Sequence, residues 1–371
     1  MSNGSREHVY AVIMAGGIGK KLWPLSRKKM PKQFVELLDD GTMVAKTVRR
    51  ISGLVPEENI FIITSELGRA LISASHGSFR SENIIVEPSS RNTAPCIALA
   101  TAHIKKRDSD AVTIVLPSDH LVLDDQAFLN IVEAGIEVAR EKQGLVTIGI
   151  KADRPETAYG YIQVDGQLPI PIAFSDGCDF MLFRVKAFAE KPDAATAQEF
   201  LESRDFYWNS GVFIWHIDAI SREFERSMPD LYKDLLTIYE SLGTESEQKV
   251  IEHVYSWIHS LSIDYGIMEK AETVFALTGE FGWTDLGCWD EVLNIAGSRS
   301  AGALPESRLV QIESENVFVK STPGKMVCTI GIKDMIVVET DDALLVCAKG
   351  YSHRVGEVLD TLRREGLEEY L

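Results

Sequence analysis

A glycine-rich turn follows the first apolar run of the chain. Residues 9–14 have the composition of a buried strand, and Gly16, Gly17 and Gly19 come directly after it. Glycines let the backbone approach a ligand closely and turn its N–H groups inward. Between residues 20 and 32 the chain has six cationic side chains and no acidic one, although its formal net charge is -17. They are Lys20, Lys21, Arg27, Lys28, Lys29 and Lys32. This local reversal of charge favours a bound polyphosphate.

Two common phosphate-binding loops do not match this turn. The dinucleotide fingerprint needs a glycine three residues after Gly19, where this chain has Leu22, and a ribose-binding acid about 20 residues further on, where only Glu36 is available. A Walker loop needs Gly-Lys-Ser/Thr, which does not follow. A glycine turn that binds nothing is the remaining alternative, and the six cations weigh against it.

Two aspartates that are distant in sequence form a second candidate. Asp119 follows the apolar run 111–116, and Asp285 lies in a Gly-Trp-Thr-Asp sequence. Taken alone, each aspartate is explained as well by a structural role, as a helix cap or a turn residue, as by a functional one. As a pair facing one pocket they would suit Mg²⁺, which proteins hold through one or two carboxylates together with phosphate oxygens. Structural alternatives also apply elsewhere, since Glu190–Lys191 is consistent with a solvated ion pair and 91–93 with the cap of a helix.

The elements that must position these side chains alternate between strands and helices. Strands are predicted over 60–64, 83–86, 111–116 and 145–149, with helical segments between them, of which 124–141 is the longest. This alternation is typical of βαβ units and a mostly parallel sheet. Ligands of such sheets bind outside the carboxyl ends of the strands, so we expect the loops after three of the strands to converge on one crevice.

A change of composition near residue 300 predicts two domains. Residues 296–305 are rich in small and helix-breaking residues and resemble a linker. We predict a large α/β domain over 1–297 and a small β-rich domain over 306–371 that ends in a helix with one apolar face. The strands of the small domain are predicted at 308–312, 316–320, 326–329, 332–338 and 343–347.

Composition excludes several classes of function. A pI near 5.0 argues against binding along nucleic acid, which needs a broad basic surface. No apolar stretch of about 18 residues is present, and the N-terminus has no apolar signal core. The five cysteines are scattered, without a Cys-x-x-Cys pair. We therefore expect a cytoplasmic protein that binds neither nucleic acid nor membrane.

Taken together, these motifs resemble the bacterial mannose-1-phosphate guanylyltransferases of the sugar-phosphate nucleotidyltransferase superfamily. The segments 87–95 (Glu-Pro-Ser-Ser-Arg-Asn-Thr-Ala-Pro) and 23–26 (Trp-Pro-Leu-Ser) are similar to the guanylyltransferase branch in particular. The other matching segments are 14–27, 31–34, 116–120, 159–162, 190–193, 208–211, 263–265 and 282–287.

The resemblance implies a fold and an activity. The fold would be α/β, with a Rossmann-like mixed, mostly parallel sheet flanked by helices in 1–297 and a domain like a short left-handed β-helix in 306–371. The activity would be transfer of GMP from GTP to α-D-mannose 1-phosphate by an Mg²⁺-dependent in-line displacement, giving GDP-mannose and pyrophosphate. A second activity is not expected, because the chain stops before the cupin-like isomerase domain that is fused to some relatives.

The resemblance also implies three groups of site residues. The nucleotide would be bound by Ala15, Gly16, Gly17, Gly19, Arg91, Asn92, Thr93 and Ser118. The sugar phosphate would be bound by Tyr159, Gly160, Glu190, Lys191 and Asn209. The catalytic residues would be Lys21, Lys32, Asp119 and Asp285, and the two aspartates would hold Mg²⁺.

One departure from the family leaves alternatives open. The family usually has Thr-Arg where this chain has Lys20–Lys21, and lysine lacks the planar fork that grips two phosphate oxygens. The alternatives are a guanylyltransferase for another sugar 1-phosphate, such as a heptose, and a catalytically weak nucleotide-sugar sensor. A further hypothesis is a homodimer, with the apolar strands 332–338 and 343–347 covering the interface.

Overall fold

The structure is a computed structural model, and it describes most of the chain. The described residues are 6–17, 19, 22–38, 41–75, 79–165, 170–173, 179–298 and 308–371, with only the backbone described for 170–173, 179–180 and 296–298. Lys20 and Lys21 therefore lie outside the described residues, as does most of the predicted linker.

Ten strands of the described residues form one large sheet. Neighbouring strands follow the order β3-β2-β1-β4-β9-β5-β10-β8-β6, with β7 beside β8 and a further pairing between β9 and β6. The strands are β1 Val9–Ala15, β2 Ile60–Thr64, β3 Ile84–Val86, β4 Val112–Pro117, β5 Leu145–Lys151, β6 Gly160–Val164, β7 Ile170–Ala173, β8 Asp179–Glu190, β9 Phe206–His216 and β10 Val274–Thr278.

Helices follow most of the strands, as the alternating pattern predicts. The helices described are α1 Met43–Ile51, α2 Glu66–Ala74, α3 Thr93–Arg107, α4 Asp125–Lys142, α5 Ala194–Ser203, α6 Ile217–Ser227, α7 Pro229–Ser241, α8 Glu247–Tyr255, α9 Trp289–Ser298 and α10 Val355–Arg364. No helix of the described residues is long and apolar enough to cross a membrane.

The large sheet is mixed, as predicted, but parallel pairing covers less of it than the sequence suggests. The order β3-β2-β1-β4 is parallel throughout, and β5 pairs in parallel with β10. The described pairings that involve β6, β7, β8 or β9 are antiparallel. Parallel pairing needs a crossover of a dozen or more residues, which the helices of the first half supply and the short turns after residue 157 do not.

The described chain divides into two compact units. The first contains the residues up to Gly16, 47–118 and 122–283, and the second contains 17–46, 119–121 and 284–371. The first unit holds the large sheet. The large buried side chains of its main core include Trp215, Phe213, Phe224 and Tyr255. The predicted domain boundary between 297 and 306 adjoins the undescribed residues 299–307 and stays a prediction.

Short strands and two helices make up most of the second unit. Its strands are β11 Arg308–Ile312, β12 Glu315–Lys320, β13 Met326–Ile330, β14 Lys333–Glu339 and β15 Leu344–Ala348. Strand β11 pairs with β13 and β12 with β14, both in parallel, whereas β14 pairs with β15 antiparallel. Trp289 is fully buried in the core of this unit, where its Nε1 donates to the Trp23 carbonyl at 2.8 Å.

Candidate active site

The end of β1 leads directly into the glycine turn. Ala15 is buried, and its carbonyl accepts a hydrogen bond from Thr64 Oγ1 at 2.9 Å. A Cβ added to Gly16 would lie 3.4 Å from Glu87 Oε2, whereas one added to Gly17 would meet no atom within 4 Å. The first turn residue therefore lies against a carboxylate, and the second borders open space.

Gly19 packs against Lys32 in the second unit. Its φ of 61° lies in the left-handed region, and an added Cβ would overlap the Cβ of Lys32. Ser26 Oγ donates to the Gly19 carbonyl at 2.6 Å and so holds the turn from its other side. Only glycine fits this position, because it must both adopt a positive φ and leave room for the lysine stem.

The Lys32 side chain is only 5% exposed and connects two segments that are distant in sequence. It begins a short 3-10 helix, Lys32–Phe34. Its Nζ lies 3.0 Å from Asp119 Oδ2 and also donates to the Asp285 carbonyl oxygen. We call these three residues the lysine cluster. A buried ammonium is tolerated when it is paired and hydrogen-bonded, and here it has a partner of each kind.

A small β-bridge brings the two aspartate segments together. Leu121 and Thr284 exchange backbone hydrogen bonds of 2.9 and 3.1 Å, so the turn with Asp119 lies beside the turn with Asp285. The carboxylate of Asp285 folds over Gly287, where an added Cβ would be 2.9 Å from its Oδ1. The structure thus brings the two aspartates and Lys32 together, while their predicted catalytic roles remain predictions.

The Asp119 carboxyl group is held in its ionised form. Burial acts to raise its pKa, but the adjacent Lys32 ammonium, with His120, outweighs burial and lowers the pKa below its ordinary value. Members of the nucleotidyl transferase family generally use a divalent metal. No group of three or more His, Cys, Asp or Glu is arranged to hold a metal within the described ranges. An ionised Asp119 beside Asp285 is compatible with Mg²⁺, which needs few protein carboxylates when phosphates supply further oxygens.

The predicted nucleotide residues of the first unit lie at the ends of strands and at the start of α3. Ser118 is buried after β4, and its N–H donates to the Met14 carbonyl at 3.1 Å. Asn92, with a φ of 70°, caps α3 through Oδ1 and the Thr93 N–H at 2.8 Å. Arg91 Nη2 donates to the Tyr255 carbonyl at 3.1 Å, but its buried Nε has no partner among the described residues. The capping alternative therefore holds for Asn92.

Glu87 is a buried carboxylate beside Gly16, and no pattern in the sequence predicts a role for it. It follows β3, is 6% exposed, and accepts a hydrogen bond from the Tyr255 hydroxyl through Oε1 at 3.1 Å. Burial raises its pKa to about 7, against the opposing effect of hydrogen bonds from Tyr255 and Cys96. Its other oxygen is the one that faces Gly16. The available signal was its position as the first residue of the 87–95 motif.

The predicted sugar-phosphate residues gather around β6, β8 and β9 in the first unit. Gly160 pairs with Glu190 in the sheet register, and a Cβ on Gly160 would come within 2.6 Å of Glu190 Oε2. Lys191 Nζ lies 2.9 Å from Glu190 Oε1, so the two residues form an ion pair, although the Glu190 side chain is only 17% exposed and is therefore not fully solvated. Tyr159 is buried, with its ring packed edge-on against Trp208 at 5.2 Å between centroids.

Asn209 leads to a second residue that had no assigned role. Its Nδ2 donates to Asp264 Oδ1 at 2.8 Å, and Asp264 begins a single π-helical turn, Asp264–Met268. Burial raises the pKa of Asp264 to about 6, and the charge of Glu190 adds to this rise. The only signal in the sequence was the matching segment 263–265, because nothing in it places Asp264 beside Asn209.

The comparison with family models defines the class of protein. The model of the nucleotidyl transferase family matches residues 10–299, and that of the MannoseP isomerase/GMP-like beta-helix domain matches residues 307–362. Because the first match covers well over half of the chain, the chain belongs to the nucleotidyl transferase family.

Similar curated proteins identify a subgroup within the nucleotidyl transferase family. A mannose-1-phosphate guanylyltransferase of Escherichia coli is 33% identical over 364 residues, which cover 97% of this chain and 76% of the relative. ManC of Salmonella typhimurium, also a mannose-1-phosphate guanylyltransferase, is 34% identical over 98% of this chain and 75% of its own length. These relatives confirm the resemblance to the mannose-1-phosphate guanylyltransferases and place the chain among them.

A solved structure confirms the fold class. The crystal structure of a mannose-1-phosphate geranyltransferase from Thermus thermophilus is similar with a TM-score of 0.83 and 32% identity, covering 96% of this chain and 99% of that one. The α/β sheet with helices and the β-rich C-terminal region are thus confirmed.

We expect Gly19→Ala to destabilise the protein. The methyl group would combine an unfavourable φ with an overlap on the Lys32 stem, at a cost of about 1 to 3 kcal/mol in the free energy of unfolding. Urea denaturation followed by circular dichroism measures this loss. Gly17→Ala is the matched control, since an added methyl meets open space there. Equal stability of the two variants would contradict the close approach of Gly19 to Lys32.

Glu87 predicts a pH-dependent stability. Its pKa is about 7 in the folded protein against an ordinary 4.5, so the folded state binds more protons between these values. The resulting stabilisation is complete below about pH 4.5 and is lost as the pH rises through about 7. In Glu87→Gln this loss disappears, so the stability of the variant relative to the wild type should rise by up to about 3 kcal/mol over this range.

Denaturation midpoints at several pH values test this difference. Glu82→Gln, at an exposed carboxylate, is the control and should follow the wild type at every pH. A stability difference between Glu87→Gln and the wild type that does not change with pH would contradict the raised pKa.

Proposed function

We propose that the chain transfers GMP from GTP to α-D-mannose 1-phosphate, forming GDP-mannose and releasing pyrophosphate. The observation that carries this proposal is the lysine cluster: a buried ammonium joins the carboxylate of Asp119 to the turn of Asp285. This arrangement belongs to a chain that is 33% identical to a mannose-1-phosphate guanylyltransferase over nearly its whole length. Charge of both signs held in fixed positions is what phosphoryl-group transfer requires.

The chemistry demands positioning rather than covalent participation by the protein. An anionic oxygen of the sugar phosphate attacks the α-phosphorus of GTP, a P–O bond forms, and the bond to the departing pyrophosphate breaks. The nucleophile is already an anion, so no proton has to be removed. The protein must hold two anions in line and stabilise the charge that moves to the leaving group.

The nucleotide roles of Gly16, Gly17, Gly19 and Ser118 remain part of the proposal. One observation in each unit supports a bound nucleotide. The Gly17 turn borders open space, and the buried Nε of Arg91 has no partner among the described residues. Backbone N–H groups of a glycine turn and a guanidinium are common partners of phosphates. Asn92 and Thr93 would contribute from the start of α3, where the positive end of the helix dipole favours an anion.

Lys32 and Lys21 are proposed to stabilise the leaving pyrophosphate. Lys32 is fixed by its two hydrogen bonds, so its charge is in place before the reaction begins. Such preorganisation makes a charge effective in a transition state. Lys21 lies outside the described residues, and its role rests on the resemblance alone.

Mg²⁺ is proposed as the divalent ion, with Asp119 and Asp285 as its protein ligands. The support is the ionised state of Asp119 and the bridge that places the two aspartate turns side by side. When bound, the ion would neutralise charge on the phosphates that react. Glu190 and Asn209 would bind the sugar hydroxyls, Lys191 its phosphate, and Tyr159 and Gly160 would border the ring.

A homodimer through the β-rich region is also proposed. On β15, one of the two strands predicted to cover the interface, Leu344 and Val346 are 59% and 56% exposed. On the other, β14, Ile336 and Val338 are fully buried. Exposed apolar side chains on a strand favour a covered surface. Light scattering would test this, and a monomer at micromolar concentration would contradict it.

Pyrophosphate release from a panel of substrates tests the proposed activity. We expect turnover with GTP and mannose 1-phosphate that stops with EDTA and returns with Mg²⁺. The panel should include ATP, UTP and dTTP, each with mannose, glucose and heptose 1-phosphates. Faster release with a heptose 1-phosphate would favour the alternative substrate. Binding of GDP-mannose without release from any pair would favour the sensor, for which the Lys20–Lys21 pair is the argument.

Lys32→Met should lower kcat/KM by an amount equivalent to about 2 to 4 kcal/mol, because it removes a preorganised charge and keeps the buried stem. The matched control is Lys28→Met, at a half-exposed lysine that pairs with Glu368. We expect the control to retain kcat/KM within about twofold, as exposed ion pairs contribute little. Steady-state pyrophosphate release makes the comparison. A loss confined to thermal stability would make Lys32 structural.

A further inference from the structure

We propose that Asp264 is a positioning residue for the sugar phosphate, because it fixes the side-chain amide of Asn209. This inference rests on the proposed function and extends it to a residue with no assigned role. The residues involved are Glu190, Lys191, Asn209 and Asp264, and we call them the acid–amide cluster. All four belong to the first unit.

The orientation of the Asn209 amide is determined from both of its ends. Its Nδ2 donates to Asp264 Oδ1 at 2.8 Å. Its Oδ1 accepts from the Gly211 N–H at 3.2 Å and from Thr147 Oγ1 at 3.3 Å. A flipped amide would place its NH₂ group against the Gly211 N–H and its oxygen against Asp264 Oδ1, so the network defines one orientation. Asp264 supplies the acceptor half of this network.

Local backbone geometry supports a fixed position for both partners. The register between β5 and β9 shifts between Thr147 and Gly149, and Ser210 Oγ donates to the Ile148 carbonyl at 2.7 Å beside that shift. Such irregularities re-aim side chains in a sheet. Asp264 begins a π-helical turn, a form that is rare in helices and frequent at functional sites. Each segment thus departs from regular structure where its side chain meets the other.

The charge of Asp264 also acts on Lys191, which pairs with Glu190. Lys191 Nζ lies 2.9 Å from Glu190 Oε1, and the charge of Asp264 also contributes to raising the pKa of Lys191. Lys191 has a φ of 48°, a conformation that is uncommon for lysine and is kept only where the surroundings enforce it. Two carboxylates and one ammonium leave a net negative charge in the free protein. A ligand with hydroxyl groups could donate hydrogen bonds to the carboxylates, and its phosphate could bind the Lys191 ammonium.

Binding of mannose 1-phosphate, measured by isothermal titration calorimetry, tests the proposal without depending on turnover. We expect Asp264→Ala to weaken binding by about tenfold or more, since it removes the acceptor of Asn209. Asp264→Asn keeps an acceptor of the same shape and should lose less. In the Asn209→Ala background, Asp264→Ala should cost no more than about twofold further, because the residue through which it acts is already gone. Fully additive losses would overturn the proposal.

A matched control separates this role from a general effect of charge. Glu269 is an exposed carboxylate that closely follows Asp264 in sequence. The pKa of Glu269 is also raised, mainly by burial and in part by the charge of Glu190. Glu269→Gln removes a nearby negative charge without touching Asn209, so we expect binding of mannose 1-phosphate within about twofold of the wild type. An effect of Glu269→Gln as large as that of Asp264→Asn would overturn the positioning role.

The pH dependence supplies a readout that a structural role would not change. The pKa of Asp264 is about 6, so its charge is lost as the pH falls through that value, and the wild type should then approach Asp264→Asn. The sugar phosphate itself titrates near pH 6, so the measured quantity is the ratio of the dissociation constants of the two proteins. We expect this ratio to be largest at pH 8 and to approach one at pH 5. A ratio independent of pH would contradict the charged role.

Failure of this inference can be told apart from failure of the proposed function. If the wild type does not bind mannose 1-phosphate, the proposed function fails, and the inference that rests on it fails too. If the wild type binds and Asp264→Ala binds equally well, the inference alone is wrong. Thermal melting of every variant checks that the comparison is between folded proteins.

Discussion

The buried ammonium of Lys32 is the constraint on which the rest of the second unit's site depends. A charge that is only 5% exposed is stable because Asp119 and the Asp285 carbonyl surround it. That requirement fixes three segments at once: the 3-10 helix of Lys32, the turn after β4, and the turn before α9. It also explains Gly19, whose missing side chain leaves space for the lysine stem. Removing one partner would leave a buried charge without compensation, which is costlier than losing an exposed ion pair.

The sequence predicted local structure well because the local signals agree with the fold. The runs 60–64 and 308–312 became strands with those bounds, and the helix predicted over 124–141 is shifted by one residue. The direction in which neighbouring strands pair was harder to predict from the sequence. The sequence shows that β9 is apolar, but its antiparallel fit between β4 and β5 depends on partners about 60 to 100 residues away. The division into units was also hidden, since residues 119–121 leave the first unit without any change of composition.

Some residues of the candidate site can be predicted from sequence patterns, and others are found only from packing in the structure. The resemblance grouped Lys32, Asp119 and Asp285 as catalytic residues, and the structure brings them together, but the ion pair between Lys32 and Asp119 was not predicted. Glu87 and Asp264 stood in matching motifs but received no role, because a single acid in a sequence carries no sign of burial or of a partner. Their raised pKa values arise from burial and, for Asp264, from the charge of Glu190. Neither cause can be read from adjacent residues.

Both clusters share a physical arrangement that suits a reaction between anions. Lys32 is paired with Asp119, and Lys191 with Glu190, so each ammonium is close to neutralised in the free protein. A free cation would bind any phosphate, whereas a paired one favours a ligand that also satisfies the carboxylate beside it. Mg²⁺ would do this for Asp119, and sugar hydroxyls would do it for Glu190. On this view the carboxylates make the choice of ligand, and the lysines supply the charge. We therefore expect the acid next to each lysine to take part in the recognition of phosphate, although its own charge opposes phosphate.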